Sequence, residues 1–262
     1  MTTGDSSAKE IESVWRDVLV KGHRSRLSIL PGTPRCVGCQ IPVGGLGGTV
    51  LRLVGRGPSR KNPNMCNYCD NVLPRGGAEV DVAILFADIR GSTALGEKMG
   101  AKNFAGLLNR FYRVASETLL NKGGLIDKMI GDEVMAVFFP NISSEYRALA
   151  VQSAEDLMKA VGNDGINEPW LPLGIAVHAG LAYAGKVGTE GINDFTVLGD
   201  TINTAARLQT HAKPGQIIVT EELFPQIKNR YPRAEQVALT LRGKEEIINV
   251  KVIEPGLGIS RK

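Results

Sequence analysis

The fold is decided by the stretch Val82-Ala-Ile-Leu-Phe-Ala-Asp-Ile-Arg-Gly-Ser-Thr93. Its first six residues form a short, uninterrupted apolar run, which predicts a buried strand. The strand delivers the carboxylate of Asp88, and Gly91, Ser92 and Thr93 then begin a helix. Backbone N–H groups at a helix N-terminus favour phosphate oxygens, and Mg²⁺ in phosphate sites is held by one or two carboxylates. The stretch therefore predicts a metal and phosphate site at the end of this strand.

A second carboxylate, Asp132, follows in a similar setting. Gly123-Gly124 ends a helix, the chain extends from Leu125 to Met129, and Val134 to Phe139 returns as another apolar strand. This pattern places Asp132 at the tip of a hairpin. Two acids at adjacent strand ends are suited to hold two ions roughly 3.5–4 Å apart. For either acid alone, ordinary turn chemistry is an equally good explanation.

A third segment runs from Asp194 to Leu208, beginning as a strand and becoming a helix after Gly199-Asp200. Asn203 and Arg207 are spaced i, i+4 and therefore share one helix face. A polar pair on one face indicates a ligand surface, although a solvated helix face explains the same pair when it is taken alone.

Together, the three segments resemble the catalytic domain of class III nucleotidyl cyclases, the adenylyl and guanylyl cyclase family. The resemblance spans roughly Val80 to Pro255, and six functional positions match in order and spacing: Asp88, Lys128, Asp132, Thr196, Asn203 and Arg207. It implies that Asp88, Asp132 and the Ile89 carbonyl bind two Mg²⁺ or Mn²⁺ ions per active site.

The same resemblance implies the roles of the substrate-binding residues. Lys128 and Thr196 fall where the family reads the purine, and Asn203 and Arg207 fall where it holds the ribose and stabilises the transition state. Arg242, with Lys244 beside it, takes the place of the basic residue that contacts the triphosphate. In this family each site is built across a head-to-tail dimer, so the resemblance implies a homodimer.

The purine-reading pair favours ATP over GTP. Lys128 only donates hydrogen bonds and the Thr196 hydroxyl can accept them, which matches the N1 acceptor and the 6-amine of adenine. The implied function is an adenylate cyclase that converts ATP into 3′,5′-cyclic AMP and pyrophosphate. The alternatives are a guanylate or dinucleotide cyclase, and a catalytically silent cyclase-like domain with a zinc-dependent binding module.

All four cysteines precede this region. Cys36 and Cys39 form one C-x₂-C pair, and Cys66 and Cys69 form another after twenty-six intervening residues. This spacing predicts a structural Cys₄ zinc site, with an iron–sulfur cluster as the leading competitor and unpaired thiols or a redox couple as further alternatives. The glycine-rich stretch 44–52 lacks the strand-then-helix setting of a phosphate loop and is predicted to be turn and loop.

The predicted fold is α+β, with a ferredoxin-like central sheet flanked by helices and preceded by a small cysteine-rich module. Residues 1–30 are expected to contain an amphipathic helix, 31–78 a zinc-ribbon-like module, 79–255 the catalytic domain and 256–262 a tail. The apolar face of the first helix comprises Ile11, Val14, Trp15, Val18 and Leu19. We expect it to dock on the cysteine module or on its counterpart in a dimer, with packing inside one chain favoured.

Composition agrees with a soluble, cytoplasmic protein of 262 residues and net charge +4. No apolar run approaches the roughly 18 residues of a membrane span, and the polar N-terminus predicts no signal peptide. Residues 1–78 carry 11 Lys and Arg against 5 Asp and Glu, which leaves 20 against 22 for the remainder. The basic stretch Arg56 to Lys61 is expected to be a solvated loop, so nucleic acid is not an expected partner.

Overall fold

The structure, a computed structural model, describes residues 3–60, 62–163, 168–189, 192–241 and 247–255. Its α-helices are α1 Thr3–Arg16, α2 Gly45–Leu53, α3 Asn67–Val72, α4 Ser92–Met99, α5 Ala101–Asn121, α6 Tyr146–Ala160, α7 Asp200–His211 and α8 Phe224–Ile227. Its strands are β1 Gly76–Ile89, β2 Leu125–Ile130, β3 Glu133–Phe138, β4 Leu173–Thr189, β5 Ile192–Leu198, β6 Ile217–Thr220, β7 Glu235–Thr240 and β8 Ile247–Ile253. Within these ranges, no helix combines the length and the apolar character needed to cross a bilayer.

These strands form one sheet in the order β2-β3-β1-β4-β6-β8-β7, with β5 paired to β4. The central strand, β1, is antiparallel to both β3 and β4, and β4 runs parallel to β6. Helices flank the sheet, so the predicted α+β class with a central sheet is confirmed. The apolar run that predicts the first strand lies inside β1, which begins at Gly76; the predicted domain boundary at residue 79 therefore falls within this strand.

The alternating residues of β1 are buried in two different cores. Ala83, Leu85, Ala87 and Ile89 face a layer that contains α5 and α6. Val80, Val82, Ile84 and Phe86 pack with residues of the N-terminal segment and with Ala205 of α7. A strand buried on both faces has a continuous apolar sequence rather than an alternating one. The N-terminal segment thus supplies part of the second layer that the apolar sequence of β1 requires.

The first helix packs inside the same chain, as expected, but its partner is the sheet as well as the cysteine module. Trp15 is fully buried, and its ring stacks on that of Phe195 of β5 with centroids 5.8 Å apart. Its indole N–H donates to the Pro74 carbonyl at 3.1 Å. Val14 is 42% exposed, so only part of the predicted apolar face is buried. The wide aromatic surface of Trp15 accounts for this docking, because large rings dominate the energetics of apolar packing.

The prediction of turn and loop for the glycine-rich stretch 44–52 was wrong, because residues Gly45–Leu53 form α2. Its glycines serve close packing. A Cβ on Gly47 would overlap the carbonyl oxygen of Pro31, and one on Gly48 would lie 2.7 Å from the carbonyl carbon of Val43. The absence of side chains lets the helix approach the preceding backbone, at the cost that glycine carries in a helix.

Candidate active site

The structure brings Asp88 and Asp132 to the same edge of the sheet. Asp88 is the penultimate residue of β1, and Asp132 lies in the two-residue turn between β2 and β3, as predicted. The backbone N–H of Ile89 donates to the Asp132 carbonyl at 3.2 Å. Of the three metal-ligand candidates, Asp88 and Ile89 are therefore consecutive in the chain, and Ile89 is hydrogen-bonded to Asp132.

Three acids crowd this edge. Glu133 stands opposite Asp88 in the pairing of β1 with β3, and the sequence analysis did not identify it as a site residue. Burial raises the pKa of Asp88, and Asp132 raises it further, while Arg90 at 3.3 Å lowers it. The pKa of Glu133 is raised by burial first and then by the charges of Asp88 and Asp132.

This environment fits a divalent cation. Like charges held together disfavour the ionised carboxylates, and a cation relieves that repulsion. Carboxylate and carbonyl oxygens are hard ligands of the kind that Mg²⁺ and Mn²⁺ prefer. A cationic neighbour, Arg90, already partly balances the charge. The oxygen ligands offered by Asp88, Asp132 and the Ile89 carbonyl are therefore chemically suited to the predicted Mg²⁺ or Mn²⁺.

A cleft of about 270 Å³ opens beside these acids. Ser92 and Thr93, at the start of α4, line it together with Gly131 and Asp132 of the hairpin turn. Gly91 precedes α4 with φ of 70°, a left-handed conformation that suits glycine and turns the chain directly from β1 into the helix. The predicted phosphate-binding segment 91–93 thus lies next to a predicted metal ligand, with the N-terminal N–H groups of α4 at the same place.

The two purine-reading candidates lie on different strands and meet at one buried acid. Lys128 is on β2 and Thr196 is on β5. The Thr196 hydroxyl donates to Asp127 Oδ2 at 3.1 Å, and the Lys128 ammonium lies 3.8 Å from the same oxygen. The side chain of Asp127 is 0% exposed, whereas that of Lys128 is 44% exposed. Sequence reasoning missed Asp127, although an acid inside a largely apolar strand and next to a lysine predicted to read the purine is an available signal.

The other substrate-binding candidates are on α7 or beyond it. Asn203 is exposed and Arg207 is half-buried on the same helix, as their spacing predicts. Asp88, Asp132 and Glu133 together mark the metal edge of the sheet. Within the described ranges, no hydrogen bond or ion pair joins the side chain of Asn203 or Arg207 to these acids, so both side chains are available to a ligand. Arg242 and Lys244 lie outside the described residues, as does the predicted tail at 256–262.

The four cysteines form one buried cluster. Their sulfur atoms all lie within 4.8 Å of one another, and the Cys39 and Cys66 sulfurs are 3.7 Å apart. Tetrahedral Zn²⁺ with Zn–S bonds of about 2.3 Å places its sulfurs about 3.8 Å apart, so the cluster fits such an ion. Backbone N–H groups donate to the Cys36 and Cys66 sulfurs, and hydrogen bonding, chiefly from Cys36, lowers the pKa of Cys66. Hydrogen bonds from the neighbouring thiols, with burial, raise the pKa of Cys36 and of Cys69. The four sulfurs thus interact closely, and thiolates are the form that binds metals.

The loop before Cys66 joins this cluster to the strands that carry Lys128 and Thr196. Asn64 donates to the Ile126 carbonyl of β2 at 2.7 Å. Asn62, which is fully buried, accepts from the backbone N–H of Phe195 on β5 at 2.6 Å. The cysteine-containing segment therefore contacts the residues immediately before Asp127 and Thr196.

Comparison with known proteins identifies relatives of the catalytic segment. A sequence profile of the adenylate and guanylate cyclase catalytic domain matches residues 77–253. A terminal-differentiation-specific adenylate cyclase of Dictyostelium discoideum is 30% identical over 184 residues, which cover 67% of this chain but only 9% of that relative. The match spans 26% to 39% of the length of other curated relatives.

Two solved structures share the fold. The adenylyl cyclase CyaB from P. aeruginosa superimposes with a TM-score of 0.59 at 23% identity, covering 70% of this chain and 99% of that one. The guanylyl cyclase Cya2 gives a TM-score of 0.60 at 21% identity, covering 68% and 93%. The matched profile begins after the last cysteine, so the cysteine cluster lies outside the shared region.

Proposed function

The chain belongs to the family of adenylate and guanylate cyclase catalytic domains, and from that premise we propose that it is an adenylate cyclase. It converts ATP into 3′,5′-cyclic AMP and pyrophosphate by attack of the ribose 3′-hydroxyl on the α-phosphorus. The observation that carries the choice of ATP is the meeting of Lys128 and Thr196 at one carboxylate. Their donor and acceptor groups then face the N1 and the 6-amine of adenine.

The metal edge supplies electrostatic catalysis. Asp88, Asp132 and the Ile89 carbonyl would hold two Mg²⁺ or Mn²⁺ ions, and such ions would supply activation of the 3′-hydroxyl and charge stabilisation for the leaving pyrophosphate. Segment 91–93 contributes backbone N–H groups and hydroxyls to the phosphates from the cleft beside Asp132. Beyond the described residues, Arg242 and Lys244 are proposed to contact the triphosphate.

The exposed face of α7 completes the site. Asn203 orients the ribose, and the Arg207 guanidinium offsets the charge that develops at the phosphorus centre. We place this face, Lys128 and Thr196 against the metal edge of a second copy, in a head-to-tail homodimer with two equivalent sites. Among the described residues, Asn203 and Arg207 have no hydrogen bond or ion pair to Asp88 or Asp132 of their own chain, which supports this arrangement because both pairs are then free to bind a ligand shared between two copies.

The cysteine cluster is proposed to hold one structural Zn²⁺ per chain. All four cysteines are buried, which leaves no open position for substrate and matches the closed geometry of structural sites. An iron–sulfur cluster is the alternative that uses the same ligands. Elemental analysis of the purified protein distinguishes them: stoichiometric zinc without visible absorbance supports the proposal, and bound iron with visible absorbance overturns it.

Turnover tests the proposed function. The purified protein is incubated with ATP and either Mg²⁺ or Mn²⁺, and the nucleotide product is identified by mass while pyrophosphate is measured separately. We expect equal amounts of cyclic AMP and pyrophosphate, and loss of both in Asp132→Ala. Absence of product with either ion, from folded dimeric protein, would establish the silent alternative.

A further inference from the structure

The position of Asp127 results from an irregularity in β2. Ile126 pairs with Ala136 and Lys128 with Met135, so Asp127 is an extra residue in the ladder between β2 and β3. Such a bulge redirects a side chain relative to a regular strand. Here it buries the Asp127 carboxylate completely while Lys128 stays partly exposed. A fully buried acid is uncommon unless it has partners.

The partner that matters is the Thr196 hydroxyl. A hydroxyl has one proton, and an ionised carboxylate only accepts hydrogen bonds. When Thr196 donates to Asp127 Oδ2, as it does at 3.1 Å, it presents only lone pairs to a ligand. We propose that Asp127 is a positioning residue that makes Thr196 an obligatory hydrogen-bond acceptor and so selects a purine with a 6-amino group over one with a 6-carbonyl. This inference rests on the proposed function, in which Thr196 faces the base.

The selection is a matter of matched and mismatched hydrogen bonds. The 6-amine of adenine donates to the oriented Thr196 oxygen. The 6-carbonyl of guanine would meet that oxygen as a second acceptor, and both groups would lose water without gaining a bond. Without Asp127, the Thr196 proton is free to turn toward the 6-carbonyl of guanine, and the distinction made at the 6-position is lost.

The charges around Asp127 bear on its ionisation. Burial raises the pKa of Asp127 to about 6, while Lys128 and the Thr196 hydroxyl oppose the rise and Asp194 on β5 adds to it. Asp127 is therefore ionised at pH 7.5 and becomes protonated below about pH 6. A protonated carboxyl group is itself a donor, which releases the Thr196 proton. The preference for ATP should accordingly fall as the pH drops through this range.

The test compares kcat/KM for ATP and GTP in the full-length protein. Asp127→Ala should lower the ATP to GTP ratio about tenfold, equivalent to about 1.4 kcal/mol. Asp194→Ala is the matched control: it removes a nearby acid without a bond to Thr196, and the ratio should stay within about twofold. In a Thr196→Val background, Asp127→Ala should change the ratio no further, because the hydroxyl it orients is already gone.

Two further measurements test the inference if a variant misfolds or loses activity. The first is the ATP to GTP ratio of kcat/KM in the unmodified protein, measured from pH 5.5 to 8. Titration of the acids at the metal edge affects both nucleotides equally, so its effect cancels in this ratio. Dissociation constants for ATP and GTP report the same base contacts in the ground state where turnover is too slow. Equal losses for both nucleotides in Asp127→Ala, a pH-independent ratio, or a full effect in the Thr196→Val background would overturn the inference. A preference of the unmodified protein for GTP would instead overturn the proposed function.

Discussion

Replacing Trp15 with alanine tests whether the N-terminal segment and the catalytic sheet unfold as one unit. Trp15 is fully buried, stacks on Phe195 and donates to the Pro74 carbonyl. Truncating a buried Trp to Ala costs about 3–5 kcal/mol, which is a large part of the roughly 5–15 kcal/mol that stabilises a typical protein. For a chain of this size, each kcal/mol lowers the Tm by about 2–4 °C. We therefore expect Trp15→Ala to lower the Tm by about 6–20 °C.

Calorimetry or circular dichroism measures this change. The matched control is Val14→Ala on the same helix, which removes a side chain that is 42% exposed and should shift the Tm by only about 1–2 °C. A single transition that moves down as a whole would support one cooperative unit. Two transitions, with the larger one unshifted in Trp15→Ala, would refute the reasoning and show that the helix is an appendage.

Three further predictions concern the site and the cysteine cluster. Arg207→Ala should lower kcat with little change in KM, because its charge matters mainly as charge develops in the transition state; a rise in KM alone would make it a ground-state binder. Mixing Asp88→Ala with Arg207→Ala should restore activity well above that of either variant alone, since one of the two sites in a head-to-tail heterodimer is intact; failure with heterodimers demonstrably formed would place the site within one chain. Cys66→Ser should abolish stoichiometric zinc and increase hydrogen exchange at the Phe195 amide, which bonds to Asn62 in the neighbouring loop; unchanged protection would show that the metal does not hold that loop.

The central strand and the metal edge could be predicted from the sequence because their signals are local. The apolar run ending at Asp88, and the turn at Gly131-Asp132, each lie within a few residues and determine strand, turn and carboxylate together. The i, i+4 spacing of Asn203 and Arg207 is likewise local. For these elements the backbone follows directly from periodicity and turn chemistry.

What the sequence could not provide depends on contacts between distant residues. The docking of Trp15 on Phe195 joins residues far apart in the chain, and no local pattern specifies that partner. The same applies to Asp127, whose proposed role depends on its contact with Thr196 on another strand. The stretch 44–52 was mispredicted for a related reason: its glycines act through close packing against Pro31 and Val43, which composition alone does not distinguish from a flexible loop.

The measurement that tests the central claim most directly is a competition between nucleotides. Equimolar ATP and GTP are supplied together with Mg²⁺ or Mn²⁺, and the two cyclic products are quantified by mass in one reaction. Because Lys128 donates and Thr196 accepts, we predict at least a tenfold excess of cyclic AMP over cyclic GMP, a difference of about 1.4 kcal/mol in transition-state binding. Equal or greater production of cyclic GMP would contradict the assignment of the protein as an adenylate cyclase.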